Sequence, residues 1–141
     1  MKIRQLLLLG LLSLAVLSAL ALGGCLSTER IAHPAAFTGN ELTISTGTQG
    51  TAGGHLFIGL GDTGKQNYTD NATGKSRTRL AAWLYLHIDG NPPIDQRQQV
   101  FAGDTVNFQG YSLYVEQISA GGIGCAPGAS TGDVHLIVRQ P

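Results

Sequence analysis

Charge is scarce in this sequence. Only 13% of the 141 residues are Asp, Glu, Lys or Arg, and nine basic residues balance nine acidic ones. The charges are scattered along the chain, and the lysines and arginines form no basic patch. Because nucleic-acid binding depends on clustered positive charge that neutralises phosphates, nucleic acid is not an expected partner.

Sulfur and helix signals are scarce as well. The chain has two cysteines, Cys25 and Cys125, and one methionine, at position 1. A blue-copper centre needs a cysteine and two histidines, commonly with an axial methionine, so this class of site is not expected. No segment combines an apolar period of about 3.6 residues with capping residues, and helices are therefore not expected after the N-terminal segment.

Long apolar sequence is confined to the first 25 residues, which have the three parts of an export signal. Two basic residues, at positions 2 and 4, precede an apolar run from Leu6 to Leu22, and two glycines separate that run from Cys25. The tetrad Leu22-Gly23-Gly24-Cys25 resembles the lipobox of bacterial lipoproteins. The resemblance implies cleavage before Cys25, a diacylglycerol thioether on its sulfur and usually a third acyl chain, such as palmitate, on the freed amine.

The same segment has an alternative interpretation as an uncleaved membrane anchor, because about 20 apolar residues can cross a bilayer. Both interpretations place the rest of the chain outside the cytoplasm, at the cell envelope. Two or three acyl chains hold a protein permanently at a membrane surface, whereas one chain holds it marginally. Leu26 follows Cys25 where inner-membrane lipoproteins tend to carry Asp. The resemblance therefore implies the periplasmic side of the outer membrane, if the cell is Gram-negative.

The sequence predicts three regions: a lipoprotein signal peptide (1–24), a lipidated flexible tether (25–40) and an all-β domain (41–141). The stretch Leu26–Gly39 has no sustained periodicity, which is typical of a tether. The 117 residues of the mature chain carry seven basic and nine acidic side chains, and they suffice for one modest core. With Cys25 lipidated, Cys125 has no partner for an internal disulfide, so the fold is expected to depend on its core alone.

Alternation of apolar and polar residues predicts an antiparallel sandwich or small barrel of six to seven strands. The clearest strand is Arg79–Asp89, whose aliphatic residues all share one face. Gln109-Gly110 predicts a tight hairpin, whereas 46–54 is predicted as a linker and 61–76 and 121–132 as long loops. The other predicted strands are Glu41–Thr46, His55–Leu60, Gln99–Ala102, Thr105–Phe108, Tyr111–Ser119 and Asp133–Arg139.

Aromatic residues mark a candidate binding surface. Trp83 and Tyr85 lie on the face of their strand opposite the aliphatic residues, beside Arg79, and Phe57 and Tyr114 have the matching phase in their own strands. Aromatic side chains provide large contact area, so an exposed stripe of this kind predicts a site for a partner or a carbohydrate ring. The alternative is that a second sheet covers this face and the aromatic residues belong to the core.

Three histidines form the second candidate site. His55, His87 and His135 are each predicted on the strand face opposite the aliphatic residues. If their strands are neighbours, three imidazoles converge, and three histidines with an open fourth position are a catalytic zinc arrangement that copper and nickel also accept. The alternative is that the histidines are scattered over the surface.

Other chemistry is weakly indicated. The stretches Gly59–Lys65 and Thr69–Ser76 approach a phosphate loop, but each lacks a required residue and neither opens a helix, so nucleotide is not expected. Cys125 with His87 or His135 as a base would make a nucleophile, yet the thiol lies in a glycine-rich loop without a helix N-terminus to lower its pKa.

These observations favour a lipid-anchored cell-envelope lipoprotein that is a non-catalytic binding or assembly module. The expected partner is another envelope protein, and no cofactor is assigned. The alternative function is metal binding, with zinc or copper on the surface histidines. A small enzyme is the third interpretation.

Overall fold

The computed structural model describes residues 25–70, 72–122 and 131–141. Regular structure in these residues consists of strands alone, and they include no helix of the length and apolarity needed to cross a membrane. The predicted signal peptide (1–24) and residues 123–130 of the predicted loop 121–132, which include Cys125, lie outside the described residues. The strands of the described ranges are β1 (Cys25–Arg30), β2 (Asn40–Ser45), β3 (Gln49–Ala52), β4 (Leu56–Thr69), β5 (Ser76–Ile88), β6 (Ile94–Phe101), β7 (Thr105–Phe108), β8 (Tyr111–Gly122) and β9 (Gly132–Arg139).

The strands form two antiparallel sheets, which confirms the predicted all-β fold class. Sheet A has the order β1-β8-β9-β2, and β7 pairs with the first residues of β8 while β1 pairs with the last. Sheet B has the order β3-β4-β5-β6. The chain crosses between the sheets after β2: the N–H of Thr46 donates to the carbonyl of Gly132 in sheet A, and the N–H of Gly47 donates to the carbonyl of Leu60 in sheet B.

The core fills the layer between the two sheets. Successive residues of a strand point to opposite faces, so sheet B buries mainly every second side chain. Sheet A also buries outward residues, among them Tyr114, Glu116 and Ile137. On β5 the predicted inward residues Leu80, Ala82, Leu84 and Leu86 are buried and Ile88 is partly buried, and Leu84 at their centre has no exposed surface. The largest fully buried side chains are Ile44, Leu56, Ile58, Leu60, Leu84, Leu86, Leu113, Ile118, Leu136, Ile137, Val100 and Val106.

The hairpin between β7 and β8 forms where the sequence predicts it. Gln109 has a φ of 49° and Gly110 a φ of 86°. Two consecutive residues with positive φ match the right-handed twist of the flanking strands, and glycine adopts this conformation at little cost. The turn fixes the register of β7 on β8, in which Phe108 pairs with Tyr111.

Two segments predicted to be irregular are strands. The prediction of a long loop over 61–76 is wrong, because β4 continues to Thr69 and β5 begins at Ser76. A register shift between Leu60 and Thr63 breaks the alternation, which removes the period-two signal from this part of β4. The predicted linker over 46–54 contains β3, a short edge strand of glycine, threonine and alanine with little apolar pattern.

The flexible tether predicted over 25–40 also differs from the structure. Its first six residues form β1, which pairs with β8 from Cys25 opposite Gly122 to Arg30 opposite Gln117. The reason is that β8 is longer than β7, so the remainder of its edge has free backbone groups that another strand can pair with. The chain therefore enters the sandwich at Cys25.

A candidate binding face on the outside of sheet B

The outer face of sheet B carries the aromatic residues that alternation directs away from the core. Phe57 of β4 lies opposite His87 of β5, and Tyr85 lies between Gly59 and Arg97 of the neighbouring strands. Trp83 is the next outward residue of β5. Sheet A packs on the other face of sheet B, and within residues 25–70, 72–122 and 131–141 no second sheet covers these aromatic residues. We call Phe57, Trp83, Tyr85, His87 and Arg97 the binding face.

Exposure on the binding face is uneven. Tyr85 has 44% of its surface exposed, and Trp83 and Phe57 are partly exposed. The ring of Tyr85 lies over Gly61 of β4, since a Cβ at Gly61 would overlap the ring, and a Cβ at Gly59 would lie 3.7 Å from the Tyr85 Cβ. A shallow depression of about 490 Å³ borders the ring. The glycines thus leave open space beside an aromatic ring, which suits the entry of a partner side chain.

Arg97 completes the centre of the binding face. Its guanidinium carbon lies 4.3 Å from the centroid of the Trp83 ring and 5.3 Å from that of Tyr85. A guanidinium that stacks on aromatic rings contributes roughly 0.5–1 kcal/mol at an exposed site and holds the rings in place. The sequence did not indicate Arg97, because β6 is polar on both faces and was predicted only over 99–102.

Arg79, which was predicted on the same surface, has a structural role. It stacks near Tyr68 and Phe101, donates to the carboxylate of Glu29 on β1 and donates to the carbonyl of Ala102 at 2.8 Å. Glu29 also accepts the N–H of Leu80, which lies just beyond the end of the β5–β6 pairing. The donors of Arg79 are therefore used to tie β1 to sheet B.

Tyr114, the fifth predicted residue of this surface, is not part of it. It lies on β8 in sheet A, with 5% of its surface exposed. Its ring lies 5.6 Å from that of Phe37, and its hydroxyl donates to the carbonyls of Ile31 and Ala32. Strand phase predicted an outward position correctly, but it could not show that the segment after β1 covers this residue.

The three histidines do not come together. His55 lies in the exposed turn before β4, His87 on the outer face of sheet B and His135 on the outer face of sheet A. Within the described ranges, no group of three or more histidine, cysteine, aspartate or glutamate residues could hold a metal ion. The phase of His87 and His135 was predicted correctly. Phase defines a face of a strand, however, and does not define which sheet the strand joins.

His87 instead forms a charged cluster at one end of the binding face. Its Nδ1 lies 2.6 Å from the carboxylate of Asp95, and its Nε2 lies 3.0 Å from that of Asp89. The hydrogen bonds with Asp95 and then Asp89 raise the pKa of His87 above its ordinary value. Both carboxylates are thereby neutralised in part when the imidazole is protonated.

A second charged cluster, which the sequence did not indicate, lies on the outer face of sheet A. Glu116 has only 4% of its surface exposed, at a register shift in the β8–β9 pairing. Its carboxylate lies 3.1 Å from the guanidinium of Arg30, 2.8 Å from Nδ1 of His135 and 3.4 Å from Nδ1 of His33. The sequence contains a sign of this register shift: the inward residues Val115 and Ile118 are three positions apart, whereas regular alternation would separate them by two or four.

The surroundings of Glu116 act in two directions on its pKa. Burial alone raises the pKa, because desolvation disfavours the carboxylate. The hydrogen bond and charge of Arg30, the hydrogen bond of His135 and the nearby imidazole of His33 outweigh burial and hold the pKa of Glu116 below its ordinary value. Because Arg30 ends β1 and His33 follows it, this cluster fastens the N-terminal segment to sheet A.

The chain matches no protein-family model, no curated protein and no solved structure. The described residues form an all-β sandwich in which the segment after β1 covers part of the outer face of sheet A, and none of these residues covers the aromatic face of sheet B.

Proposed function

We propose that the mature chain is a lipid-anchored cell-envelope lipoprotein and that it is a non-catalytic binding module for another envelope protein. The proposal assigns partner binding to the outer face of sheet B. The observation that carries it is the stacking of Arg97 on both Trp83 and Tyr85, on a face that points away from the core.

The composition of this centre supports a protein-binding role. Tryptophan, tyrosine and arginine are the residues whose truncation most often costs 2 kcal/mol or more in protein interfaces. Stacking of Arg97 restricts the rotamers of all three side chains before any partner arrives, which reduces the entropy lost on binding. A sandwich that needed this face only for solubility would be expected to carry small polar or charged residues there.

Lipid anchoring is supported by the lipobox resemblance at Cys25. Because β1 begins at this residue, the acyl chains would be attached directly to the edge of sheet A, without a tether. Leu26, next to the anchor, has 82% of its surface exposed and would face the lipid. The domain would stand close to the membrane, with the outer membrane as the proposed site in a Gram-negative cell.

Mass spectrometry of the membrane form should show acylated Cys25 as the first residue. An unmodified thiol or a retained Met1 would contradict the anchor.

Replacement of Trp83 by alanine should release the partner from the lipoprotein. Loss of about 2 kcal/mol of binding free energy corresponds to a roughly 30-fold weaker complex. The measurement is quantitative co-purification from detergent-solubilised membranes, with the tagged full-length chain expressed at its native level.

Phe37→Ala is the matched control, because Phe37 also stacks against an arginine, Arg139, at 5.0 Å, but on sheet A. The control variant should retain the partner. Retention of the partner by Trp83→Ala, or equal loss from both variants, would exclude the outer face of sheet B as the binding surface.

A further inference from the structure

The two arginines of the outer face of sheet B differ in how their donors are used. Arg79 donates to Glu29 and to the carbonyl of Ala102. Arg97 stacks on Trp83 and Tyr85 but has no hydrogen bond or ion pair within the part of the chain that the structure describes. A stacked guanidinium presents its N–H donors at the edge of the stack, where they match the two oxygens of a carboxylate.

The backbone of β6 presents further donors and acceptors beside Arg97. In the described ranges β6 pairs with β5 alone, so its second edge is open. The N–H of Phe101 donates to the carboxylate of Asp104 and its carbonyl accepts from the N–H of Asp104, so both groups point to this edge. Along a strand, the side to which the backbone N–H and carbonyl groups point repeats every two residues. The N–H and carbonyl of Arg97, four residues earlier, therefore point to the same open edge.

Resting on the proposed function, we infer that the binding face receives an extended acidic segment of the partner protein. The segment lies along the open edge of β6, pairs with the backbone at Arg97 and directs one carboxylate to the guanidinium. Apolar side chains two residues before and after this carboxylate, on the same face of the segment, contact the rings of Trp83 and Tyr85. Backbone pairing then provides affinity, and the carboxylate provides register and specificity.

The charges of the binding face define which anion it accepts. Arg97 is one cation, and Asp95 and Asp89 lie on the same side of the sheet, bound to His87. A polyphosphate or an anionic membrane surface requires several cations, each contributing about 1 kcal/mol at a membrane, and would be repelled by the two aspartates. A single acidic side chain meets one guanidinium without that repulsion. The open backbone edge favours a polypeptide over a glycan.

The test uses Trp83 as its reporter, since it is the only tryptophan of the chain. Its fluorescence is followed in the purified full chain while a peptide with one central glutamate is added, in which valine occupies the second position on each side of the glutamate and threonine the positions between. The same peptide with glutamine in place of glutamate is the uncharged control ligand. We expect saturable binding of the acidic peptide and at least about tenfold weaker binding of the glutamine peptide. Arg97→Gln should weaken the acidic peptide by a similar factor, whereas Arg139→Gln on sheet A should not.

Other outcomes would overturn the inference. Equal binding of the two peptides, or undiminished binding of the acidic peptide by Arg97→Gln, would show that Arg97 does not recognise a carboxylate. A fluorescence response to vesicles of anionic lipid or to an oligosaccharide of uronic acids at lower concentration than to the peptide would assign the site to those ligands. The inference can fail while the proposed function stands: if Trp83→Ala loses the co-purified partner while Arg97→Gln keeps it, the binding face is supported and the acidic segment is excluded.

Discussion

Replacement of Leu84 by alanine is expected to lower the free energy of unfolding by about 2–5 kcal/mol. Leu84 lies at the centre of β5, has no exposed surface and pairs with Leu60 and Gln98 of the adjacent strands. The change removes buried apolar area and leaves a cavity between two sheets that cannot collapse freely, because each is held by its own hydrogen bonds. Urea denaturation of the purified chain would measure the effect.

Tyr85→Ala is the control for this prediction, because it changes the next residue of the same strand. Tyr85 is on the binding face, and its loss should cost about 1 kcal/mol or less, mainly through the stacking with Arg97. Similar large losses from both variants would mean that both faces of sheet B are core. That result would contradict the orientation of β5 and with it the binding face.

Glu116→Gln should be the second most damaging change, at about 1–3 kcal/mol, because a buried carboxylate with charged hydrogen-bond partners would be replaced by a neutral amide. The folded pKa of Glu116 is lowered. Its contribution to stability is therefore complete above the unfolded value of about 4.3 and is lost as the pH falls through the folded value. Wild type should lose stability in this acid range, and the variant should lose less. Urea denaturation across that range measures both effects.

Glu41→Gln provides the matched comparison for Glu116→Gln. Glu41 lies 3.7 Å from Nε2 of the same histidine, His135, but it is exposed to solvent. Exposed ion pairs contribute little, so this change should alter stability by less than about 0.5 kcal/mol at any pH. An acid dependence that persists in Glu116→Gln and disappears in Glu41→Gln would show that the wrong carboxylate has been assigned.

The part of the fold that the sequence predicts is the part where one strand face is buried and the other is not. The strand Arg79–Asp89 was predicted within three residues at its start and one at its end, because the core requires an aliphatic side chain at every second position of β5. The hairpin at Gln109-Gly110 was predicted because positive φ selects few residue types. Both signals are local and strong.

The strands that the sequence did not predict lack such a pattern. The second half of β4 follows a register shift, and β3 and most of β6 have polar or small residues on both faces. At β1 the decisive contacts are distant in sequence: Glu29 meets Arg79, and Arg30 meets Glu116. No local rule gives these pairs, and the segment was therefore predicted to be a flexible tether.

The candidate site was predicted from the alternation of side chains along each strand, without information on which strands are neighbours. Trp83, Tyr85 and Phe57 lie together as expected, because they share the phase of two adjacent strands. Tyr114 and His135 also have predictable phases, but their strands belong to sheet A. Strand order is a tertiary property, and it separates these residues from the binding face. Arg97 was not predicted because its place in the site also depends on strand order: the pairing of β6 with β5 puts it opposite Tyr85.

Direct contact between the binding face and a partner can be measured by photo-cross-linking in living cells. A photoreactive phenylalanine derivative is placed at Tyr85 on sheet B or at Phe37 on sheet A, and the membranes are examined after irradiation. The account predicts a discrete cross-linked protein from position 85, lost when Trp83→Ala is added, and none from position 37. A discrete product from position 37 with none from position 85 would contradict the central claim.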